Sequence, residues 1–299
     1  MNRIHAFWKF CRPHTIIGTH LQLLAAYLFA SRNGHYVSIP PIPLLLCWIS
    51  AMAMNIYVVG INQLVDVDVD KINKKYLPLA SGEFSWRMGV SIVSLSGLIA
   101  LTLSFALSIY FFETILGIVL IGTLYSLPPI QLKKRPLGAA LGIATARGLL
   151  FNIGSFVHFN YLMGRPLAIP LYVVALALFI FGFCITIAVM KDIPDVKGDR
   201  LHGIRTLAVR MGARVSFRVA LSILGICYLA FIVGGFMGVF PSNSNLFGVS
   251  HVAFLAFILW KAFSVNPESS SDIYAYYMMI WKMFYLEFAF FIVALTVFP

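Results

Sequence analysis

Carboxylates are scarce in this sequence, and most of them are gathered. Of its 11 Asp and Glu, six lie in two short clusters: Asp66, Asp68 and Asp70 in NQLVDVDVD, then Asp192, Asp195 and Asp199 in KDIPDVKGD. Asp66 and Asp70 recur as Asp195 and Asp199 at a single offset of 129 residues (195 − 66 and 199 − 70). A helix turns about 100° per residue, so Asn62, Asp66 and Asp70 at i, i+4 and i+8 form one stripe. Asp192, Asp195 and Asp199 at i, i+3 and i+7 form a second, with Pro194 bending or starting a helix there. Asp68 points away from the first stripe. Each carboxylate near a bilayer costs roughly 2.5–3.5 kcal/mol, and two facing stripes repel one another, so a cation is expected between them.

The donors at both clusters are oxygens, Asn62 adding an amide, with no His or Cys at ligand spacing. That set suits a hard ion such as Mg²⁺, which keeps some water and also binds phosphate oxygens. The expected metal ligands are Asn62, Asp66, Asp70, Asp192, Asp195 and Asp199. Lys74, Lys75, Lys191, Lys197, Arg200 and Arg205 stand beside them as cations for further phosphate oxygens. The ligand this implies is a magnesium diphosphate on a lipid-soluble tail, the metal drawing charge onto the leaving diphosphate and an allylic cation remaining.

The elements that must position these groups are membrane spans. A chain of 299 residues that is 60% hydrophobic and 11% charged, with mean hydropathy +0.89, cannot hide its apolar surface in a water-soluble core. Apolar stretches of about 20 residues begin near His14, Ile39, Met88, Phe111, Leu137, Ala168, Val215, Leu246 and Tyr276. They predict an all-α polytopic membrane protein of nine transmembrane helices in one domain over 1–299. The third and fourth are divided only by a short turn at Tyr110 to Glu113.

Basic residues alternate between the loops. Arg3, Lys9 and Arg12, then Lys71 to Arg87, Lys133 to Arg135, and Lys191 to Arg218 fall on one side; little beyond Arg32 and Arg165 falls on the other. The positive-inside bias puts both acidic clusters on the cytoplasmic face, or its plastid equivalent, the stroma. The 129-residue offset suits a four-helix duplication followed by a ninth helix. No small-residue cleavage site follows the basic N-terminus, so the first span is expected to stay in the protein. Nucleic acid is excluded as a partner, because short basic loops between spans offer it no continuous surface. The four cysteines lack metal or redox spacing and are read as packing residues.

Three rival classes fit less well. An intramembrane aspartyl protease needs one Asp per helix rather than two stripes. An alcohol phosphotransferase would carry a D-G-x-x-A-R run, which is absent. A membrane cation transporter predicts acids at mid-helix, whereas these lie at span ends.

Asn62-Asp66-Asp70 matches N-x-x-x-D-x-x-x-D and Asp195-Asp199 matches D-x-x-x-D, the paired signatures of the UbiA superfamily of intramembrane prenyltransferases, which the chain resembles nearly end to end. RPHTIIGT (12–19), NQLVDVDVDKINKKYLPLASGEFS (62–85), YSLPP (125–129) and KDIPDVKGDR (191–200) resemble more narrowly the homogentisate prenyltransferases of plants and cyanobacteria. The resemblance implies a nine-helix bundle whose cavity is capped by the inside loops, in a cyanobacterial or plastid membrane. It implies prenylation of homogentisate with loss of CO₂, phytyl diphosphate being the expected donor on a route to tocopherol. Solanesyl or geranylgeranyl diphosphate, or another aromatic acid, are the alternatives. Gln131 departs from the Arg usual in such relatives, which leaves Lys133 and Lys134 as that loop's diphosphate-binding candidates.

Asp66, Asp70, Asp195, Asp199 and Arg147 are the catalytic candidates. Arg147, inside the fifth span in TARGLLFN, is expected to face a polar cavity and to clamp either the acceptor carboxylate or the diphosphate. Its structural alternative is a hydrogen bond to backbone or to Asn152. Asn152, Tyr125 before the Pro-Pro break and His14 at the entrance to the first span complete the acceptor-binding candidates, each with a capping, interfacial or packing alternative. His158, His202 and His251 are read as structural, and Glu287 has no account.

Overall fold

The computed structural model describes residues 3–32, 39–240 and 244–297, which are helical throughout apart from turns and loops. Its long helices are α1 (Pro13–Arg32), α2 (Pro41–Val65), α3 (Trp86–Leu107), α4 (Ile109–Ser126), α5 (Leu137–Leu162), α6 (Leu171–Asp192), α7 (Ala213–Phe236), α8 (Ser244–Ala262) and α9 (Ser270–Val297). At 1.5 Å per residue each is long enough to approach or exceed the roughly 30 Å of a hydrocarbon core. Eight of them are also apolar enough to cross it. The exception is α1, where His14, His20 and Gln22 interrupt the apolar run. His14 and Gln22 line the interior cavity, and His20 meets the Trp48 ring edge-on at 5.3 Å.

Helix boundaries follow local chemistry. The break between α3 and α4 lies at Ser108, earlier than the expected Tyr110 to Glu113. Ser108 leaves the helix in an extended conformation and its hydroxyl accepts from Phe111 N (3.1 Å), capping α4. Helix α9 starts at Ser270, well before the expected Tyr276. Ser269 accepts from Asp272 N (3.3 Å) and donates to its carboxylate (2.8 Å), a polar cap that an apolar count passes over.

Helix α6 is the most buried span and packs on α5, α7 and α9, while α1 lies between α5 and α9. Buried polar clasps hold the other contacts. Glu287 on α9 accepts from Tyr228 of α7 and stands 2.9 Å from His251 of α8, so the acid left without an account ties three helices together. His158 contacts Cys47 (3.0 Å) and Ser108 (2.8 Å), and His202 contacts Gly198 O (2.9 Å), as structural readings of these histidines require. The four cysteines are free, Cys11, Cys47 and Cys184 buried.

Candidate functional site

The first acidic stripe crosses a helix break. Helix α2 ends at Val65, Asp66 turns the chain (φ −99°, ψ 17°), and a second helix runs over Val67–Asn73. The expected single helix is therefore two. The stripe survives because i→i−4 bonds continue through the break: Asp66 N to Asn62 O (3.0 Å), Asp70 N to Asp66 O (2.7 Å) and Lys74 N to Asp70 O (2.7 Å). Asn62 also donates its amide to Asp66 Oδ2 (2.7 Å). Asp68 is exposed and paired with Lys71 at 2.8 Å, which holds its carboxyl below the usual range.

At the second cluster, α6 ends on Asp192, a turn containing Pro194 follows, and Asp195 precedes a helix over Val196–Leu201. This short helix packs on Val67–Asn73. Asn73, which the motif reading passed over, joins them. Its amide donates to Asp195 O (3.0 Å) and Asp199 Oδ1 (3.5 Å), and its carbonyl accepts from Gly198 N (3.0 Å). A Cβ at Gly198 would meet Asn73 Oδ1 at 2.5 Å, so glycine leaves room for the Asn73 amide to make these bonds.

Lysines compensate the buried acids. Lys133 is ion-paired to Asp66 and Lys74 to Asp195, Lys74 also lying 4.0 Å from Asp70; Lys191 lies 3.1 Å from Asp192 and donates to the Tyr125 hydroxyl (3.3 Å). Lys75, Lys134 and Arg205 are exposed and make no ion pair with described residues. Burial pushes the Asp70 carboxyl up to about 6, Arg12 and Lys74 pulling against it while Asp66 and Asp195 add to the rise. Burial, then Asp192 and Asp195, push Asp199 up to about 7. The carboxylates of the two clusters thus act on one another across the contact.

Below this contact lies a cavity. Asn62, Tyr125 and Lys191 line it near the helix ends, Ile118, Ile121, Ile187 and Phe151 form apolar wall, and His14, Arg147 and Trp281 line its polar side. The His14 ring meets the Trp281 indole edge-on at 5.2 Å. The four aspartates of the paired motifs do not line this cavity; Asp66, Asp70 and Asp195 are turned to Lys133 and Lys74, and Asp199 to the Asn73 amide. Asn152 also turns away, donating to the backbone oxygens of Arg147 (3.0 Å) and Gly148 (2.8 Å).

No three His, Cys, Asp or Glu side chains converge on a single ion position among the described residues. The donors still fit a hard divalent cation. They are all oxygens, Asp70 Oδ2 is buried with no hydrogen-bond partner, and neighbouring carboxylates are held close enough to raise one another's pKa. An unmet buried acceptor among like charges is an arrangement that a cation relieves.

The UbiA prenyltransferase family matches residues 21–285. The chain belongs to this family. It is 42% identical over 300 residues to a homogentisate phytyltransferase of Synechocystis sp., covering 99% of this chain and 97% of that one. It is 38% identical to a homogentisate geranylgeranyltransferase of Hordeum vulgare, over 96% of this chain and 72% of that one. Among solved structures, a UbiA homolog from Archaeoglobus fulgidus bound to GPP and Mg²⁺ superposes with TM-score 0.69 at 19% identity, covering 96% and 99% of the two chains.

Within this UbiA fold, Arg12 is the cation that reading the sequence for topology alone left out of the site. It lines the cavity with no ion pair among described residues and is the first of the charges that draw Asp70 down. Its φ of 51° lies in the left-handed region, which costs a non-glycine residue about 1–2 kcal/mol. It sits where the chain turns from the helix Arg3–Phe10 into α1.

Proposed function

We propose that the protein transfers a prenyl group, phytyl first among the candidates, from its diphosphate to homogentisate with loss of CO₂, on the route to tocopherol. The observation that carries this reading is the juxtaposition of two compensated carboxylate clusters at the end of an apolar cavity whose polar side holds Arg147, a guanidinium with no carboxylate partner among the described residues. The names of the Synechocystis and Hordeum vulgare relatives share the acceptor and differ in the tail, which supports homogentisate and leaves geranylgeranyl or solanesyl diphosphate as the donors to compare.

Asn62, Asp66, Asp70, Asp192, Asp195 and Asp199 would hold Mg²⁺, which when bound polarises the diphosphate and eases its departure. Lys74, Lys133 and Lys191 pair with the carboxylates and are placed to turn to diphosphate oxygens, with Arg12 beside them and Lys75, Lys134 and Arg205 at the exposed margin. The apolar wall excludes water from the allylic cation once the C–O bond breaks. Arg147 and His14 face the acceptor; Tyr125 orients Lys191, and Asn152 secures the backbone beneath Arg147. A ring carbon ortho to a phenolic hydroxyl bonds to the prenyl carbon and loses its proton; the side chain loses CO₂ and gains a proton, becoming methyl. The basic loops favour the cytoplasmic or stromal side for this chemistry.

Membranes carrying the chain, given Mg²⁺, homogentisate and labelled phytyl diphosphate, should yield a labelled lipid-soluble quinol, CO₂ and diphosphate. Geranylgeranyl and solanesyl diphosphates in parallel rank the tails, and 4-hydroxybenzoate tests the acceptor. Failure to release diphosphate with any donor and acceptor pair would sink the reading.

A further inference from the structure

Arg147 is enclosed by neutral groups. Its Nη1 donates to Gln22 Oε1 (3.3 Å), and its Nη2 donates to Asn55 Oδ1 (3.3 Å), Thr19 Oγ1 (3.4 Å) and Thr15 O (3.4 Å). The Trp281 ring lies 5.5 Å from the guanidinium carbon. A guanidinium held inside a bundle ordinarily faces an acid, so this cage is complete only with an anion from the cavity.

One neighbour holds Arg147 at both ends. Over Thr145–Leu150, α5 widens into a π turn, and Phe151 N bonds to Ala146 O instead of the α-helical partner, Arg147 O. The displaced Arg147 carbonyl accepts from Gln22 Nε2 (2.9 Å) as well as from Asn152. Gln22, 1% exposed, therefore satisfies the backbone oxygen with its NH₂ and the guanidinium with its C=O. Only an amide supplies both at that place. A Cβ at Gly18, one turn earlier on α1, would lie 2.8 Å from Nη1, so α1 leaves room there for the guanidinium.

We propose that Gln22 is the positioning residue that aims the Arg147 guanidinium at the carboxylate of the aromatic acceptor, and so makes an acid group the condition for acceptor binding. The inference rests on the prenyl-transfer reading and assigns one substrate group within it. Gln22 contributes a neutral oxygen where a carboxylate would cancel the charge the acceptor needs. Glu at this position keeps the guanidinium contact, loses the donor to Arg147 O, and supplies an internal competitor.

The test uses the full chain in lipid nanodiscs with Mg²⁺, as wild type, Gln22→Glu and Gln22→Met. Binding of homogentisate and of its methyl ester is measured beside the KM values for homogentisate and prenyl diphosphate. Wild type should bind the acid at least about tenfold more tightly than the ester, the scale of one charge-assisted hydrogen bond. Both variants should lose that preference, with homogentisate KM rising about tenfold or more and donor KM staying within about twofold. Equal binding of acid and ester by wild type overturns the proposal without any variant. Unchanged acid preference in either variant, or equal rises in both KM values, also overturns it. Wild type that binds homogentisate but transfers no prenyl group would instead sink the underlying reading.

Discussion

Lys74 stands between the two acidic clusters, ion-paired to Asp195 of one and 4.0 Å from Asp70 of the other. A single ammonium thus does in the metal-free protein part of what a divalent cation would do between the same carboxylates. Lys74→Met should destabilise the metal-free protein by about 1–3 kcal/mol, the scale of a hydrogen-bonded charge pair. Unfolding temperatures in detergent, with chelator and with Mg²⁺, check this. Mg²⁺ should restore more stability to the variant than to the parent; equal shifts would argue that Lys74 and the cation do not share a position.

Asp66→Ala, Asp70→Ala, Asp195→Ala and Asp199→Ala should each lower diphosphate release by about 100-fold or more, the upper end of what losing a partner behind a metal ligand costs. Membrane insertion should persist, since the spans themselves are untouched. Asp68→Ala is the contrast. Its side chain is exposed and held only by Lys71, so activity should stay near normal and stability within about 0.5 kcal/mol. Near-normal turnover in all four of the first set would remove the clusters from the mechanism.

The pH dependence of the metal-free protein has a definite sign. The Asp70 and Asp199 carboxyls are raised to about 6 and about 7 from their ordinary value of 3.8, so folding favours their protonated forms. Their stabilising contribution is complete below about pH 4 and is lost as pH rises through 6 and 7. With chelator present, these two groups should make the unfolding temperature fall between pH 5 and 8. Asp70→Asn with Asp199→Asn should flatten the profile over that interval, and saturating Mg²⁺ should oppose the fall by favouring the carboxylates.

Gly198→Ala places a methyl group 2.5 Å from Asn73 Oδ1, so the Asn73 side chain must swing away from Gly198 N and Asp195 O and the joint between the two short helices is lost. Asn73→Ala removes the same joint from the other side. Both should weaken Mg²⁺ binding by about 10- to 100-fold, the range for residues that orient ligands, while leaving the long helices intact by circular dichroism. Titration of Mg²⁺ by calorimetry reads the effect, and unchanged affinity would make the joint a matter of packing alone.

The acidic stripes, the membrane setting and nearly all the helix starts were legible in the residues. Carboxylates at helical spacing share a face wherever the chain is helical, and apolar runs of span length have little alternative in a bilayer. The short cap at Ser269 and the break at Ser108 were less visible because a few polar side chains decide them inside strongly apolar surroundings. Asn73 was hidden for a different reason. It lies three residues after Asp70 and 125 before Gly198, and nothing local announces a contact at that range.

By itself, the sequence determined which groups carry charge, how they recur and which stretches cross the membrane, since these depend on residue type and spacing along one chain. Tertiary structure alone decided that Lys74 pairs with the second cluster, that Asn73 joins the two, that Arg12 belongs with them, and that Gln22 holds Arg147 from another helix. It also turned Asn152 toward backbone and Glu287 into a clasp. The reason is that hydrogen bonds and ion pairs act over a few ångströms in space, and the packing of helices far apart in the chain sets which groups come that close.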